Sequence, residues 1–86
     1  MYRIEFRRKA IKELRRLSPQ DQRRIADAID QLAKNPRPPG STQLRNRDGW
    51  RIRVGTYRVL YTIEDERLLV LVVKIGHRRE VYREHR

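Results

Sequence analysis

Two stretches in the second half of the chain alternate apolar and polar residues with a period of two. The first reads WRIRV over residues 50–54, and the second reads YRVLYTI over residues 57–63. Because successive side chains of a strand point to opposite faces of a sheet, both patterns predict half-buried β-strands. Three of the polar positions are Arg51, Arg53 and Arg58, which we expect together on the uncovered face, away from the core. Like charges on neighbouring strands destabilise a sheet, so this face predicts a polyanionic partner, with ordinary solvated arginines as the alternative.

A third strand is predicted from Leu68 to Ile75, where both faces are apolar except at Lys74. A strand that is apolar on both sides favours a central place in a sheet. Gly55-Thr56 is short enough for a tight turn before the second strand, and residues 64–67 make a polar turn before the third. The three strands therefore predict an antiparallel meander.

The N-terminal half of the chain predicts one strand followed by two helices. Apolar and polar residues alternate over residues 2–6, and the apolar positions then follow a helical stripe over residues 8–17. Ser18 suits a helix N-cap and Pro19 suits the first helical position, so a second helix is expected to begin here and to end near Asn35. Two helices joined by so few residues predict an antiparallel hairpin.

The predicted fold is a single α+β domain over residues 1–86, with the element order β-α-α-β-β-β. The helix hairpin packs on one face of a small, mainly antiparallel four-stranded sheet, on the side that carries Trp50, Tyr57 and Tyr61. The proline-rich stretch 36–41 cannot continue a helix or enter a central strand, so it is expected to link the hairpin to the sheet. A chain of this length is too short for a second domain.

The net charge is +11, from 22 Lys and Arg residues against 11 Asp and Glu residues. Such an excess favours a polyanionic partner, above all nucleic acid, with an acidic protein or a functionally neutral arginine-rich composition as alternatives. The chain has no cysteine, which excludes disulfides and suits a reducing compartment. It has no apolar run long enough to cross a bilayer and no signal-peptide core, so we expect a cytoplasmic protein without membrane contact.

Two motifs occur together in this short chain: YRVLY at residues 57–61 and GHRREVY at residues 76–82. Together with the order of strand, helix hairpin, proline-containing linker and WRIRV strand, they resemble the RelE branch of the RelE/ParE toxin superfamily over nearly the whole chain. The resemblance implies the toxin of a type II toxin-antitoxin pair, which enters the ribosomal A site and cleaves mRNA by attack of a ribose 2′-hydroxyl on the adjacent phosphate. It also implies three partners: a RelB-like antitoxin, the ribosome and mRNA.

The resemblance assigns the chemistry to the arginine-bearing strands and the C-terminal motif. The implied catalytic residues are Arg51, Arg53, Arg58, Arg78 and Tyr82, and we add His77 as a candidate catalytic residue. Guanidinium groups stabilise the charge that develops on phosphate oxygens, and Arg58 and Arg78 are the expected clamp. Tyr82 is expected to stack on a base or to orient the 2′-hydroxyl. The residues expected to bind RNA are Arg45, Arg47, Lys74, Arg79 and Arg83.

Two assignments leave alternatives open. Lys74 either joins the basic face or pairs with a nearby acid. Some family members carry lysine where this chain has Arg51 and Arg53, and an arginine cannot readily lose a proton to act as a base. Histidine titrates near neutral pH, so His77, expected beside the arginines, is the candidate acid or base, with Glu80 and the ribosome as the other candidates.

The same scaffold also serves ParE-type toxins, which bind DNA gyrase and have no nuclease activity, so fold alone does not decide the function. A non-toxic remnant that only binds nucleic acid or an antitoxin is a third interpretation. No cofactor is expected. Two histidines without clustered carboxylates also predict no metal site, and the implied reaction does not require one.

Overall fold

The computed structural model describes residues 1–77. The elements in chain order are β1 (Arg3–Phe6), α1 (Arg8–Arg15), α2 (Pro19–Leu32), β2 (Thr42–Gln43), β3 (Trp50–Val54), β4 (Tyr57–Glu64) and β5 (Leu69–His77). The strands form one sheet in the order β1-β5-β4-β3-β2. This arrangement has the predicted α+β class and the predicted order of a strand, two helices and a meander.

The apolar strand β5 lies inside the sheet, as its sequence predicts. On one side it pairs in parallel with β1, from Arg3 opposite Leu69 to Phe6 opposite Val72. On the other side it pairs antiparallel with β4, which in turn pairs antiparallel with β3. The antiparallel meander is therefore confirmed, and the single parallel pair in the described sheet joins its first and last strands.

The sheet has one strand more than the sequence predicted. In β2, Thr42 pairs with Arg51 of β3 and Gln43 pairs with Trp50. Both residues of β2 are polar and exposed, so no apolar alternation marks them in the sequence. Backbone pairing to β3 alone makes this short segment an edge strand.

The core lies between the helices and one face of the sheet. Its buried residues are Ala10, Ile25, Ile29, Leu32, Ile52, Val59, Tyr61, Val70, Val72 and Ile75. Trp50 and Tyr57 pack against this cluster, so the predicted packing side of the sheet is confirmed. Within residues 1–77, neither helix combines the length and apolar character needed to cross a membrane.

The start of α2 follows the capping chemistry that the sequence predicts. The Ser18 hydroxyl accepts a hydrogen bond from the Asp21 backbone N–H at 3.2 Å, and Pro19 is the first helical residue. The side chain of Gln22 donates to the Leu17 carbonyl at 2.8 Å. These bonds satisfy backbone groups at the helix junction and fix the short connection between α1 and α2.

Two aromatic residues hold the linker that follows α2. The Tyr61 hydroxyl donates to the Pro36 carbonyl at 2.7 Å, and burial raises the pKa of Tyr61 to about 12. The guanidinium of Arg37 lies over the Trp50 ring, 5.3 Å from its centroid. The hydrogen bond gives the Pro36 carbonyl a partner, which a buried carbonyl needs. Both contacts attach the proline-rich linker to the sheet.

One irregularity changes the faces of β5. Leu60 of β4 pairs with Lys74, but the next residue, Tyr61, pairs with Val72. Val73 is thus an extra residue on β5, which is a β-bulge. Because the bulge shifts the alternation by one position, it places Lys74 on the sheet face opposite the helices.

Candidate nucleic-acid interface

The sheet face away from the helices carries the three strand arginines. Arg53 is the cross-strand partner of Arg58, and Arg51 is the partner of Leu60. Residues directly opposite each other in an antiparallel pair lie on the same face. On the other side of β4, Gly76 lies opposite Arg58. We call the part of this face around Arg51, Arg53 and Arg58 the arginine face, and the register agrees with its prediction from the sequence.

The three arginines differ in exposure. Arg53 is exposed and Arg51 is half-buried, whereas Arg58 is only 3% exposed. The expectation that all three lie on an uncovered face is therefore wrong for Arg58. It belongs to β4, which has a neighbouring strand on each side, and Gly76 opposite it provides no side chain that would occupy the same space. A guanidinium in such a dehydrated position interacts with a phosphate more strongly than one in bulk water.

Lys74 lies on the same face, but it is engaged by an acid. Its Nζ is 2.7 Å from Oε2 of Glu13, and the two side chains are 6% and 17% exposed. Of the two alternatives left open by the sequence, pairing with an acid is the one found. The expectation that Lys74 binds RNA is corrected accordingly, because its ammonium is buried against Glu13 instead of lying on an accessible surface.

His77 ends β5 on the helix side of the sheet. It is the cross-strand partner of Tyr57, and the two rings meet edge to face with centroids 6.1 Å apart and an interplanar angle of 82°. Since successive residues of a strand face opposite ways, His77 points away from the face that carries Gly76 and Arg58. The expectation that His77 lies beside the strand arginines is therefore wrong, although its role as an acid or base stays a prediction.

Arg45 and Arg47 lie in the loop between β2 and β3, and both are exposed. A hydrogen bond from the Leu44 N–H to the Gly49 carbonyl, 3.0 Å long, closes this loop. The loop enters β3 at Trp50, one residue before Arg51 of the arginine face. The RNA-binding role of Arg45 and Arg47 stays a prediction.

Four residues of the predicted site lie outside the described residues: Arg78, Arg79, Tyr82 and Arg83. The candidate base Glu80 also lies there. Within residues 1–77, no three His, Cys, Asp or Glu side chains come together in a group that could hold a metal ion. That the reaction needs no metal stays a prediction.

The opposite end of the same sheet face has a different electrostatic character. A groove of about 610 Å³ lies there, and its charged lining residues are Glu5, Arg7, Asp48, Glu64 and Arg67. Glu5 forms an ion pair with Arg3 at 2.9 Å, and Glu64 forms one with Arg67 at 3.0 Å. This end of the face therefore carries charges of both signs, whereas the arginine face is basic.

Two contacts near the site were not predicted from the sequence. Glu13, whose carboxylate binds Lys74, is the single acid within α1, which reads RKAIKELR. The guanidinium of Arg24 in α2 lies at the β3–β4 turn. If Gly55 of this turn carried a Cβ, that atom would be 3.4 Å from the guanidinium. An isolated acid in a basic helix is a sequence signal that could have pointed to the first contact. Nothing in the local sequence pointed to the second.

Comparisons with known proteins agree with this architecture. The family model described as the ParE toxin of the type II toxin-antitoxin system parDE matches residues 4–82. Toxin RelG of Mycobacterium tuberculosis is 32% identical over 84 residues, which cover 95% of this chain and 97% of that protein. The chain belongs to the RelE/ParE toxin superfamily. The resemblance stated from the YRVLY and GHRREVY motifs is thereby confirmed.

Within the superfamily this chain is a RelE-type toxin. The mRNA interferase toxin RelE of Escherichia coli K12 is 28% identical over 87 residues, which cover 96% of this chain and 92% of that protein. The isolated E. coli RelE toxin has the same fold, with a TM-score of 0.79, 29% identity and coverage of 99% of this chain and 95% of that one. The toxin-antitoxin complex RelBE2 of M. tuberculosis matches with a TM-score of 0.80, 29% identity and coverage of 90% and 98%.

Proposed function

We propose that this RelE-type toxin is a ribosome-dependent endoribonuclease that cleaves mRNA in the ribosomal A site. The observation that carries the proposal is the arginine face, where Arg51, Arg53 and Arg58 occupy adjacent strands on the sheet face away from the helices. A net charge of +11 adds a general attraction to a polyanion. The relative from E. coli that bears the name mRNA interferase supports the type of reaction.

The proposed reaction is an in-line displacement at phosphorus. The ribose 2′-oxygen loses its proton and forms a bond to the phosphorus of the adjacent 3′-phosphate. The bond between that phosphorus and the 5′-oxygen of the next nucleotide breaks, and the 5′-oxygen takes up a proton. The products are a 2′,3′-cyclic phosphate and a 5′-hydroxyl. The protein contributes by aligning the three reacting atoms and by stabilising the charge on the phosphate oxygens.

The strand arginines stabilise charge in this scheme and do not take the proton. A guanidinium stays protonated in proteins, so Arg53 serves as the accessible cation at the phosphate, and Arg58, which is only 3% exposed, contributes its positive charge from a buried position on the same face. Sequence resemblance adds Arg78 and Tyr82, which complete the clamp and orient the nucleotide. His77, Glu80 and the ribosome are the candidates for the proton acceptor.

We also infer an antitoxin partner of the RelB type. The RelBE2 structure, whose toxin has this fold, is a toxin-antitoxin complex. An acidic antitoxin segment would neutralise part of the +11 charge, and complementary charge gives such a pair a fast and specific association.

The test is cleavage of an end-labelled mRNA on programmed ribosomes. We expect cleavage at the codon in the A site, with fragment ends that carry a 2′,3′-cyclic phosphate and a 5′-hydroxyl. The proposal is lost if the mRNA stays intact while E. coli RelE cleaves it under the same conditions.

A pair of matched variants tests the arginine face itself. Arg53→Ala should slow cleavage by about 10-fold to 100-fold, because removal of one donor to a developing oxyanion typically has an effect of this order or larger. Arg67→Ala removes the same charge from the β4–β5 turn, where Arg67 is exposed and 3.0 Å from Glu64. This control should stay within about twofold of the wild type, as is usual for a surface substitution. Equal losses in both variants would contradict a specific role for the arginine face.

Inhibition of DNA gyrase is the alternative that the RelE-named relatives do not favour. A supercoiling assay with purified gyrase separates the two activities. Inhibited supercoiling together with intact mRNA would replace the ribonuclease proposal with the ParE-type activity.

A further inference from the structure

Among residues 1–77, the last part of β5 has a neighbouring strand on one side only. β1 ends at Phe6, opposite Val72, and the last backbone bond between the two segments runs from the Arg7 N–H to the Val72 carbonyl at 2.9 Å. Beyond this point β4 is the one described strand that pairs with β5, up to His77 opposite Tyr57. Strand ends that are paired on one side only open more easily than strands paired on both.

Glu13 of α1 binds this edge of β5 with its side-chain carboxylate. Its Oε1 accepts the Ile75 backbone N–H at 3.0 Å, and its Oε2 binds the Lys74 ammonium at 2.7 Å. A single carboxylate thus satisfies a backbone donor and a side-chain cation on consecutive residues of β5. Bonds from charged groups to buried donors are among the stronger hydrogen bonds in proteins.

The two residues that Glu13 holds lie directly before the part of β5 that adjoins the arginine face. Lys74 is opposite Leu60, and Gly76 is opposite Arg58. A shift of this end of β5 would move the backbone beside the Arg58 guanidinium and also the start of the GHRREVY motif. Displacements of about 1 Å in a supporting group can slow a reaction by roughly 10²-fold.

We propose that Glu13 is a positioning residue of the cleavage site: by binding the Lys74 ammonium and the Ile75 amide together, it fixes the end of β5 so that Gly76 stays opposite Arg58. The inference rests on the proposed ribonuclease function and adds to it a residue of α1 that does not touch the RNA. The bond to the Ile75 amide is the essential part. A buried ion pair can often be replaced by apolar side chains without loss of stability, whereas an apolar side chain cannot accept the amide hydrogen.

The experiment compares two double variants that differ only at position 13. Glu13→Leu/Lys74→Met removes both charges and the acceptor for the Ile75 amide. Glu13→Gln/Lys74→Met removes both charges, but the amide oxygen of Gln can still accept the Ile75 N–H. Neither variant leaves a buried charge without a partner, so both are expected to fold, which circular dichroism at the assay temperature checks.

Two measurements are made on each folded variant. The first is the single-turnover cleavage rate on programmed ribosomes, together with the toxin concentration that gives half the maximal rate. The second is hydrogen exchange at the Ile75 amide. We expect the Leu/Met variant to cleave about 10-fold more slowly than the Gln/Met variant at similar half-saturation, and its Ile75 amide to exchange about 10-fold faster. Equal rates, or equal exchange, in the two variants would overturn the proposal.

Glu5→Gln is the matched control. Glu5 also lies beside β5, opposite Leu71, but its carboxylate forms an exposed ion pair with Arg3 at 2.9 Å. Its cleavage rate should stay within about twofold of the wild type, because exposed ion pairs contribute little. A wild-type protein that cleaves no mRNA would overturn the proposed function and this inference together. A wild type that cleaves, with equal Leu/Met and Gln/Met rates, would overturn this inference alone.

Discussion

Asp65 receives hydrogen bonds from two segments that are distant in sequence. Arg37 of the linker donates to its two oxygens at 3.2 and 2.9 Å, and the Tyr2 hydroxyl donates to Oδ1 at 2.6 Å. These bonds, first from Arg37 and then from Tyr2, hold the pKa of Asp65 at about 2, below its ordinary value of 3.8. The charged carboxylate therefore ties the N-terminus and the linker to the β4–β5 turn.

This depressed pKa predicts how the contribution of Asp65 to stability depends on pH. The contribution is present above the unfolded pKa of 3.8 and is lost as the pH falls through the folded pKa of about 2. The wild type should therefore be more stable than Asp65→Asn near neutral pH, and the difference should shrink between those two values. Denaturant unfolding of both proteins across this range is the measurement.

The cause of that pH dependence can be checked separately. In a Tyr2→Phe/Arg37→Met background both donors are lost, so Asp65→Asn should no longer change the pH dependence of unfolding. A pH-dependent difference that persists in this background would contradict the assignment to these two hydrogen bonds.

At single positions the sequence predicts the face of a side chain better than its exposure. Alternation places Arg53 and Arg58 on one face, as the register confirms, because the period of two follows from strand geometry. It does not distinguish an exposed Arg53 from a buried Arg58, since burial depends on strand order and on which residues lie opposite. His77 faces away from the arginines for a related reason, as neighbours within a motif alternate in direction once the motif lies on a strand.

The turn between β4 and β5 contains a residue in an unfavourable backbone conformation. Leu68 has a φ of +49° and a side chain that is 49% exposed. Its N–H donates to the Asp65 carbonyl at 3.2 Å, so the left-handed conformation closes the turn. For a residue with a Cβ this conformation costs about 1–2 kcal/mol.

A residue better suited to this turn should stabilise the protein. Leu68→Asn should raise the free energy of unfolding by about 0.5–1 kcal/mol, because Asn tolerates the left-handed region better than Leu. Glu66→Gly is the control in the same turn, and it should lower the free energy of unfolding by about 0.5–1 kcal/mol through added freedom of the unfolded chain. Denaturant unfolding measures both. A destabilised Leu68→Asn protein would contradict the interpretation of the turn.

The sequence predicts those elements that neighbouring residues specify. It does not predict features that arise only when distant strands pair. Ser18 and Pro19 mark the start of α2 because capping depends on neighbouring residues alone. The strand β2 exists only through its backbone bonds to β3, and the bulge at Val73 appears only when β5 is aligned with β4. Glu13 was not recognised for the same reason, since its partners are about 60 residues away in sequence.

For the whole molecule, the excess positive charge predicts salt-dependent binding to RNA. Each phosphate contact with a single strand contributes about −0.7 to the slope of log K against log salt concentration. Arg53→Ala should therefore reduce the magnitude of this slope by about 0.7, and Arg67→Ala should leave it unchanged. Fluorescence anisotropy with a short RNA at several salt concentrations gives the slope. An unaltered slope in Arg53→Ala would show that Arg53 does not contact phosphate.

The position of β5 determines when this protein can fold during its synthesis. β5 follows the other elements of the described part of the chain, yet it lies between β1 and β4 and contributes Val70, Val72 and Ile75 to the core. Until it is made, β1 has no partner strand and the helices have only part of the surface that buries their apolar sides. A nascent chain that ends before β5 therefore cannot form the arginine face as described. The ribosome that translates this toxin therefore has to complete β5 before the sheet and its core can form.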